Sequence, residues 1–119
     1  MSSPYSALKY TTAWMRKCNI SRAALNDVSF LKAQFLLALE ACKTHVIKID
    51  SHQFQPEGIT LTAVLADSHA VLHTWPEEAF VFAEIFTCGH RADPRVGIKF
   101  LVDLFQPRNH EIQDTLSNV

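Results

Sequence analysis

A chain of 119 residues lies in the size range of a single globular domain. Its 48% hydrophobic and 19% charged residues exclude the composition of a disordered chain. Its formal net charge of −1, without a cluster of basic residues, argues against nucleic acid or an anionic membrane as a partner, and no apolar run approaches the ~20 residues that span a bilayer.

The first third of the chain predicts one strand followed by one long helix. Residues 8–16 are rich in β-branched and aromatic side chains, which is typical of a strand. Residues 25–44 repeat apolar side chains at three and four positions, so these side chains share one face of a helix. Asn26 or Asp27 is expected to cap its start, and Lys43 suits its C-terminal end. The expected buried face consists of Val28, Leu31, Phe35, Leu36, Leu39 and Cys42.

The centre of the chain predicts four short strands. Pro56 and Gly58 break the segment 51–59 into a loop. The turn at residues 75–78 suits a hairpin between the last two of these strands. The predicted strands cover residues 45–50, 59–66, 69–74 and 79–88.

A second helix is predicted within residues 89–107. Asp93 is its expected cap, Pro94 occupies its first position, and Pro107 helps to end it. The tail, residues 110–119, suits either an edge strand or a loose end. The expected buried face of this helix consists of Ile98, Leu101, Val102 and Phe105.

The order of these elements predicts an α+β fold with residues 1–119 in one domain. Two helices would pack on one face of a mostly antiparallel sheet, as a two-layer sandwich. So small a core buries only about two thirds of the unfolded chain's surface. Docking onto a second copy would therefore add stability.

The three cysteines, Cys18, Cys42 and Cys88, are an odd number at wide spacings, which is a poor disulfide framework. The N-terminal stretch lacks the basic-then-apolar order of a secretory signal. We therefore predict a reduced, cytoplasmic protein.

Four residues of metal-ligand type lie close in sequence: His69, His73, Cys88 and His90. His69 and His73 fall on a predicted strand, which would separate them by about 13 Å. Since no single ion bridges that distance, we predict no metal site.

Two nucleophiles have an ordinary structural interpretation beside a catalytic one. Cys88 activated by His73 would be a catalytic pair, but a cysteine near the end of an apolar strand is typically an inert core residue. Ser68 follows Asp67, and Asp-Ser pairs are common turn formers. From local chemistry alone, the structural interpretation is favoured for both.

The segment ADSHAVLHTWPEEAFVFAEIFTCG, residues 66–89, closely resembles the self-processing centre of the prokaryotic S-adenosylmethionine decarboxylase proenzymes. Members of that family carry Glu-Ser-His, His-Thr-Trp-Pro-Glu and Phe-Thr-Cys-Gly at these separations. HQFQPEGIT at residues 52–60 and ADPRVGIKFLVDLF at residues 92–105 resemble two further family stretches. The resemblance thus runs from about residue 25 to residue 105.

This resemblance implies a reactive group made from the chain itself. Ser68 would attack the carbonyl of Asp67, turn the peptide bond into an ester and expel the upstream carboxylate, which leaves a pyruvoyl cofactor at position 68. His73 matches the family's processing base. The pyruvoyl carbonyl would form a Schiff base with the substrate's α-amine. Cys88 matches the family's proton donor once carbon dioxide has left.

The resemblance also implies how the substrate is bound and used. Phe54 matches an aromatic that stacks on adenine, Glu77 a carboxylate that binds ribose hydroxyls, and Thr60 a hydroxyl-bearing serine of the family. The expected product is decarboxylated S-adenosylmethionine, the aminopropyl donor for spermidine biosynthesis. The expected assembly is a homodimer of processed protomers with substrate sites near the interface.

Three departures from the family's pattern leave two alternatives open. Asp67 stands where the family has Glu, Thr60 where it has Ser, and Leu61 where it has Gly. The first alternative keeps the pyruvoyl chemistry but acts on L-ornithine or L-arginine. The second is an unprocessed, non-catalytic relative.

Overall fold

The computed structural model describes residues 7–66 and 68–117. Short 3-10 turns at residues 24–26 and 76–78 accompany the main elements. The main elements, in chain order, are β1 (Leu8–Cys18), α1 (Val28–Ala41), β2 (Val46–Gln53), β3 (Ile59–Leu65), β4 (Ser68–Trp75), β5 (Phe80–Cys88), α2 (Pro94–Phe105) and β6 (Pro107–Ser117).

These strands form a six-stranded sheet in the order β2-β3-β4-β5-β1-β6. Every neighbouring pair is antiparallel. Both helices pack on one face of the sheet and bury the core between the two layers. The predicted α+β sandwich, with two helices on one face, is confirmed. No helix in the described ranges is long and apolar enough to cross a membrane.

Several strands extend beyond their predicted bounds, among them β2 and the strand formed by the tail. Strand β2 continues to Gln53 because His52 and Gln53 pair with β3, so these residues belong to a strand and not to the predicted loop. The tail was predicted to be either an edge strand or a loose end. It forms strand β6 from Pro107 onward, at the edge of the sheet. β6 pairs with the side of β1 that β5 leaves uncovered, and so satisfies the backbone groups of β1 there.

Both helices begin at the predicted caps. The Asp27 side chain accepts a hydrogen bond from the Phe30 amide at 3.0 Å. Asp93 accepts one from the Arg95 amide at 3.1 Å, with Pro94 in the first turn. Such caps satisfy amide groups that have no partner within the helix.

Most of the predicted buried helical residues are buried, but Val28, Leu36 and Val102 are only partly buried. On α1, Leu36 is only partly buried, while Ala38 is fully buried. On α2, Val102 is only partly buried but packs against the core. The fully or nearly fully buried helical residues that were predicted are Leu31, Phe35, Leu39, Ile98, Leu101 and Phe105, with Cys42 just after α1.

Gly97 allows α2 to approach α1 and β5 closely. A Cβ at this position would overlap Cys42 Sγ and lie 2.8 Å from Ile85 Cδ1. We expect Gly97→Ala to lower the free energy of unfolding by about 1–3 kcal/mol, because overpacking outweighs the higher helix propensity of alanine. Urea unfolding checks this. Val96→Ala, at an exposed site of the same helix, is the control and should change stability by less than about 0.5 kcal/mol. Equal stability of the two variants would contradict the packing argument.

The sheet face opposite the helices, here called the open face, is aromatic. Along β4 and β5, side chains that point to the helices are buried and alternate with partly or fully exposed ones on the open face. Neighbouring strands bring the open-face rings into contact, such as Trp14 with Phe82 at 5.0 Å and Tyr10 with Phe86 at 5.6 Å between centroids. Further open-face rings include His69, His73, Trp75 and Phe80.

Candidate active site

Ser68 is the first residue of β4 and has a strained backbone. Its φ of 147° lies in a region that favours glycine. Backbone outliers of this kind cost on the order of 1–3 kcal/mol and concentrate at functional sites. The predicted cleavage lies between Asp67 and Ser68, and Asp67 falls outside the described residues.

His69 is the imidazole that contacts Ser68. The Ser68 Oγ lies 3.2 Å from His69 Nδ1, within hydrogen-bonding distance. The His69 ring stacks on Phe86 of β5, with centroids 5.5 Å apart and planes only 5° from parallel. The stack holds the ring beside the serine. Sequence reasoning considered His69 only as a metal ligand.

His73 lies on the open face and is bonded to a different hydroxyl. Its Nδ1 is 2.8 Å from Thr60 Oγ1 on β3, the residue directly opposite it. Its ring stacks on Phe82 at 5.9 Å. Burial lowers the pKa of His73, although the negative charge of Glu84 opposes this effect. At neutral pH the imidazole is therefore mainly unprotonated and able to accept a proton.

Within one chain, Ser68 and His73 are far apart. They are five residues apart on β4, which corresponds to about 16 Å along a strand. The family resemblance implies His73 as the processing base, and such a base must reach Ser68. Within a single chain the two residues are too far apart for this. We call Ser68 and Cys88 the serine half-site, and Phe54, Thr60 and His73 the histidine half-site.

Cys88 lies at the same end of the sheet as Ser68. It is the last residue of β5, is 2% exposed and follows Thr87, which pairs with Ser68. His73 instead pairs with Phe82, six residues away on β5, or about 20 Å along the strand. The hypothesis of a Cys88 nucleophile activated by the His73 of its own chain is therefore wrong.

A cavity of about 810 Å³ adjoins the serine half-site. Ala66 and Cys88 line it, which puts it next to the predicted cleavage site. Lys43 and Arg91 line it together with Glu40, so the lining carries two positive charges and one negative charge. These two basic residues were not predicted as site residues, because nothing in their sequence spacing connects the end of α1 with the loop after β5.

A second cavity, of about 250 Å³, contains the histidine half-site. Phe54, Thr60 and His73 all line it, so two of the predicted substrate-binding residues meet the predicted base. Phe54 is 48% exposed, which leaves its ring accessible to a ligand. Glu57 lines this cavity too and was not predicted, although it lies within the family-like stretch 52–60.

Glu77 does not line either cavity but lies near the second one. It sits in the 3-10 turn at residues 76–78. Arg22 donates hydrogen bonds to both oxygens of Glu57, which raises the pKa of Arg22, and the charge of Glu77 adds to that effect. The carboxylates of Glu57 and Glu77 thus flank one guanidinium beside the histidine half-site.

Across residues 7–66 and 68–117, no group of three or more histidine, cysteine, aspartate or glutamate side chains is arranged to hold a metal ion.

Comparison with known proteins identifies the family. The model of the S-adenosylmethionine decarboxylase family matches residues 12–117. The S-adenosylmethionine decarboxylase proenzyme of Brevibacillus brevis is 40% identical over 83 residues, which cover 70% of this chain and 62% of that protein. The proenzyme of Prochlorococcus marinus is 30% identical over 96 residues, which cover 81% of this chain and 79% of that protein.

The chain belongs to the S-adenosylmethionine decarboxylase family. The crystal structure of the adenosylmethionine decarboxylase from Aquifex aeolicus shares the fold, with a TM-score of 0.85 over 96% of this chain and 92% of that chain at 21% identity. The predicted family is thus confirmed, and membership of a decarboxylase family favours an enzyme over a non-catalytic relative. The names of both relatives specify S-adenosylmethionine as the substrate of those proteins.

Proposed function

We propose that this protein is a self-processing, pyruvoyl-dependent S-adenosylmethionine decarboxylase that supplies decarboxylated S-adenosylmethionine for spermidine biosynthesis. The observation that carries the proposal is the state of Ser68. This residue occupies the family's serine position, has a strained φ of 147°, and holds its hydroxyl 3.2 Å from an imidazole nitrogen. Strain and a nearby base both favour attack of a hydroxyl on the preceding peptide bond.

Self-processing would convert Ser68 into the cofactor. The Ser68 hydroxyl attacks the carbonyl of Asp67, and the peptide bond becomes an ester. Removal of the Ser68 α-proton then expels the Asp67 carboxylate and leaves a dehydroalanine at the new N-terminus. Water hydrolyses the imine tautomer of this residue, ammonia is released, and a pyruvoyl group remains. This group supplies a carbonyl that condenses with the substrate's α-amine and accepts the electrons released with carbon dioxide.

Cys88 is suited to return a proton to the substrate carbon. It is buried at the Ser68 end of the sheet and lines the larger cavity. A thiol S–H group can donate its proton. Cys88 would therefore act as the proton donor. The positive charge of Lys43 and Arg91 in the same cavity suits the substrate's carboxylate before its loss.

The histidine half-site is suited to the nucleoside part of the substrate. The exposed ring of Phe54 offers a face for adenine, and Thr60 offers a hydroxyl beside His73. Glu77, in the neighbouring turn, would accept hydrogen bonds from the ribose hydroxyls. Aromatic rings also favour the positive sulfonium group.

A homodimer would unite the two half-sites. They lie about 16 Å apart on the same sheet, too far for one chain to use both on one small substrate. A two-fold axis near the middle of β4 would set the serine half-site of one copy against the histidine half-site of the other. The aromatic open face is suited to this packing, because sheets that stack face to face bury apolar side chains between them.

The cell compartment that we propose is the cytoplasm. Cys18 and Cys42 are buried thiols, and burial raises the pKa of each to about 11, which keeps them protonated and unreactive. A net charge of −1 offers little attraction to nucleic acid or an anionic membrane.

Mass spectrometry of the purified full chain tests the proposed function. We expect two fragments, residues 1–67 and 68–119, the second of which starts with a ketone that reacts with phenylhydrazine. Labelled carbon dioxide should be released from carboxyl-labelled S-adenosylmethionine but not from ornithine or arginine. A single uncut chain without a ketone would instead support the non-catalytic alternative. Release of carbon dioxide from ornithine or arginine would instead support the alternative in which the same pyruvoyl chemistry acts on one of these amino acids.

A further inference from the structure

We propose that His69 is the base that accepts the hydroxyl proton of Ser68 in the first step of self-cleavage. This inference rests on the proposed function and assigns a role to a residue other than the family-like base His73. It follows from the contact between Ser68 Oγ and His69 Nδ1 at 3.2 Å. A candidate base must lie within hydrogen-bonding reach of the proton that it removes.

His73 of the same chain cannot perform this first step. It lies about 16 Å from Ser68 along β4, and its Nδ1 is engaged by Thr60. In the proposed dimer, the His73 of the second copy is therefore left for the later removal of the Ser68 α-proton. His69, in contrast, contacts the reacting oxygen without any second copy.

The surroundings of His69 suit a base that acts on Ser68. Its ring is nearly parallel to Phe86, which fixes its orientation while the side chain stays exposed. With the ring proton on Nε2, Nδ1 is an acceptor that faces the serine hydroxyl. In a regular strand, neighbouring residues point to opposite faces, so a Ser68–His69 contact requires a departure such as the φ of 147° at Ser68. The strain at Ser68 and the contact with His69 are thus parts of one geometry.

The proposed step balances without a further reactant. The Ser68 hydroxyl transfers its proton to His69 Nδ1, and the oxygen lone pair forms a bond to the carbonyl carbon of Asp67. In the resulting tetrahedral adduct the carbon–nitrogen bond breaks, and its electron pair goes to the Ser68 nitrogen. The proton on His69 then passes to that nitrogen. An ester and a free amine result, with His69 restored.

The test compares His69→Ala with the wild type by following self-cleavage of newly made full chain on denaturing gels. We expect cleavage to slow by at least about 100-fold, the lower end of what a positioned general base contributes. Hydroxylamine, which cuts esters, should release no additional fragments from the variant, because the ester forms too slowly to accumulate. His110→Ala, at an exposed histidine on β6, is the matched control and should cleave like the wild type.

A second variant separates a base from a structural residue. A thiol ionises without help to an appreciable degree near its pKa of about 8.5, so it needs a base much less than a hydroxyl does. We therefore expect the double variant Ser68→Cys/His69→Ala to form a thioester at pH 8 that hydroxylamine cuts. Circular dichroism checks that each variant is folded.

Three results would overturn the inference. These are cleavage of His69→Ala at the wild-type rate, a hydroxylamine-sensitive ester in His69→Ala, and a folded double variant that hydroxylamine does not cut. In each case the cleaving wild type leaves the proposed function intact. A wild-type chain that never cleaves would remove the proposed function itself, and this inference with it.

Discussion

Ser68→Ala is expected to give a folded chain that is never cut and that releases no carbon dioxide from S-adenosylmethionine. Without the hydroxyl there is no nucleophile to attack the preceding carbonyl, and no pyruvoyl precursor remains. Intact mass and carbon dioxide release provide the measurements. Ser51→Ala, at an exposed serine of β2, is the control and should cleave like the wild type. Decarboxylation by Ser68→Ala would show that the proposed chemistry is wrong.

Substitutions at Ser68 also measure the strain of its backbone. Ser68→Gly should also remain uncut, but glycine adopts a φ of 147° without the cost that a side chain incurs. We therefore expect Ser68→Gly to be more stable than Ser68→Ala by about 1 kcal/mol in urea unfolding. Because both variants are uncut, the measured difference in unfolding free energy does not include an effect of chain cleavage. Equal stabilities would mean that Ser68 is not strained.

Much of the fold was predictable because its signals are local. Alternating side chains mark β3, β4 and β5, and Asp27 and Asp93 cap the helices where the sequence predicts. The role of the tail was not predictable, because a strand at a sheet edge depends on whether a neighbouring edge is open. Here β1 provides that edge. For a similar reason, Leu36 was predicted to be buried and Ala38 was not, whereas Ala38 is the buried one. Periodicity predicts which face of a helix is apolar, but the packing of α2 against α1 decides which side chains of that face are covered.

The sequence suggests a set of candidate site residues, but it does not predict how they are arranged. The spacing that argued against a shared metal ion for His69 and His73 also separates Ser68 from His73, since all three lie on one strand. The register of β4 and β5 then decides which residues meet. His73 lies opposite Phe82, while Ser68 lies opposite Thr87, beside Cys88. A single sequence does not reveal this register, which depends on how the turn at residues 76–78 closes.

Neither did the sequence reveal the contact between Ser68 and His69. Adjacent residues of a regular strand diverge, so only an irregular φ lets their side chains meet. The same irregularity strains the backbone at the predicted cleavage site. Strain, base and nucleophile therefore arise together at one end of β4, while the histidine half-site lies at the other end. In the proposed dimer, two facing sheets would bring these two ends of β4 together into one site.

Two inactive variants should restore each other if the site is shared between copies. We expect Ser68→Ala and His73→Ala to be inactive when each is made alone. In a mixed dimer, the intact Ser68 of one copy faces the intact His73 of the other. Random pairing gives half mixed dimers, each with one complete site of two, so co-expression should restore roughly a quarter of wild-type decarboxylation. Mass spectrometry should find that about half of the His73→Ala chains are cut, namely those in mixed dimers, and that every Ser68→Ala chain is whole.

The control for this experiment pairs two changes within one half-site. Ser68 and Cys88 lie together at one end of the sheet. When Ser68→Ala is co-expressed with Cys88→Ala, every intact Ser68 belongs to a chain that lacks the thiol, so no complete site forms. We expect no gain in decarboxylation over Cys88→Ala alone. Restoration by this pair, or none with Ser68→Ala and His73→Ala, would contradict a site built from the serine half-site of one copy and the histidine half-site of the other.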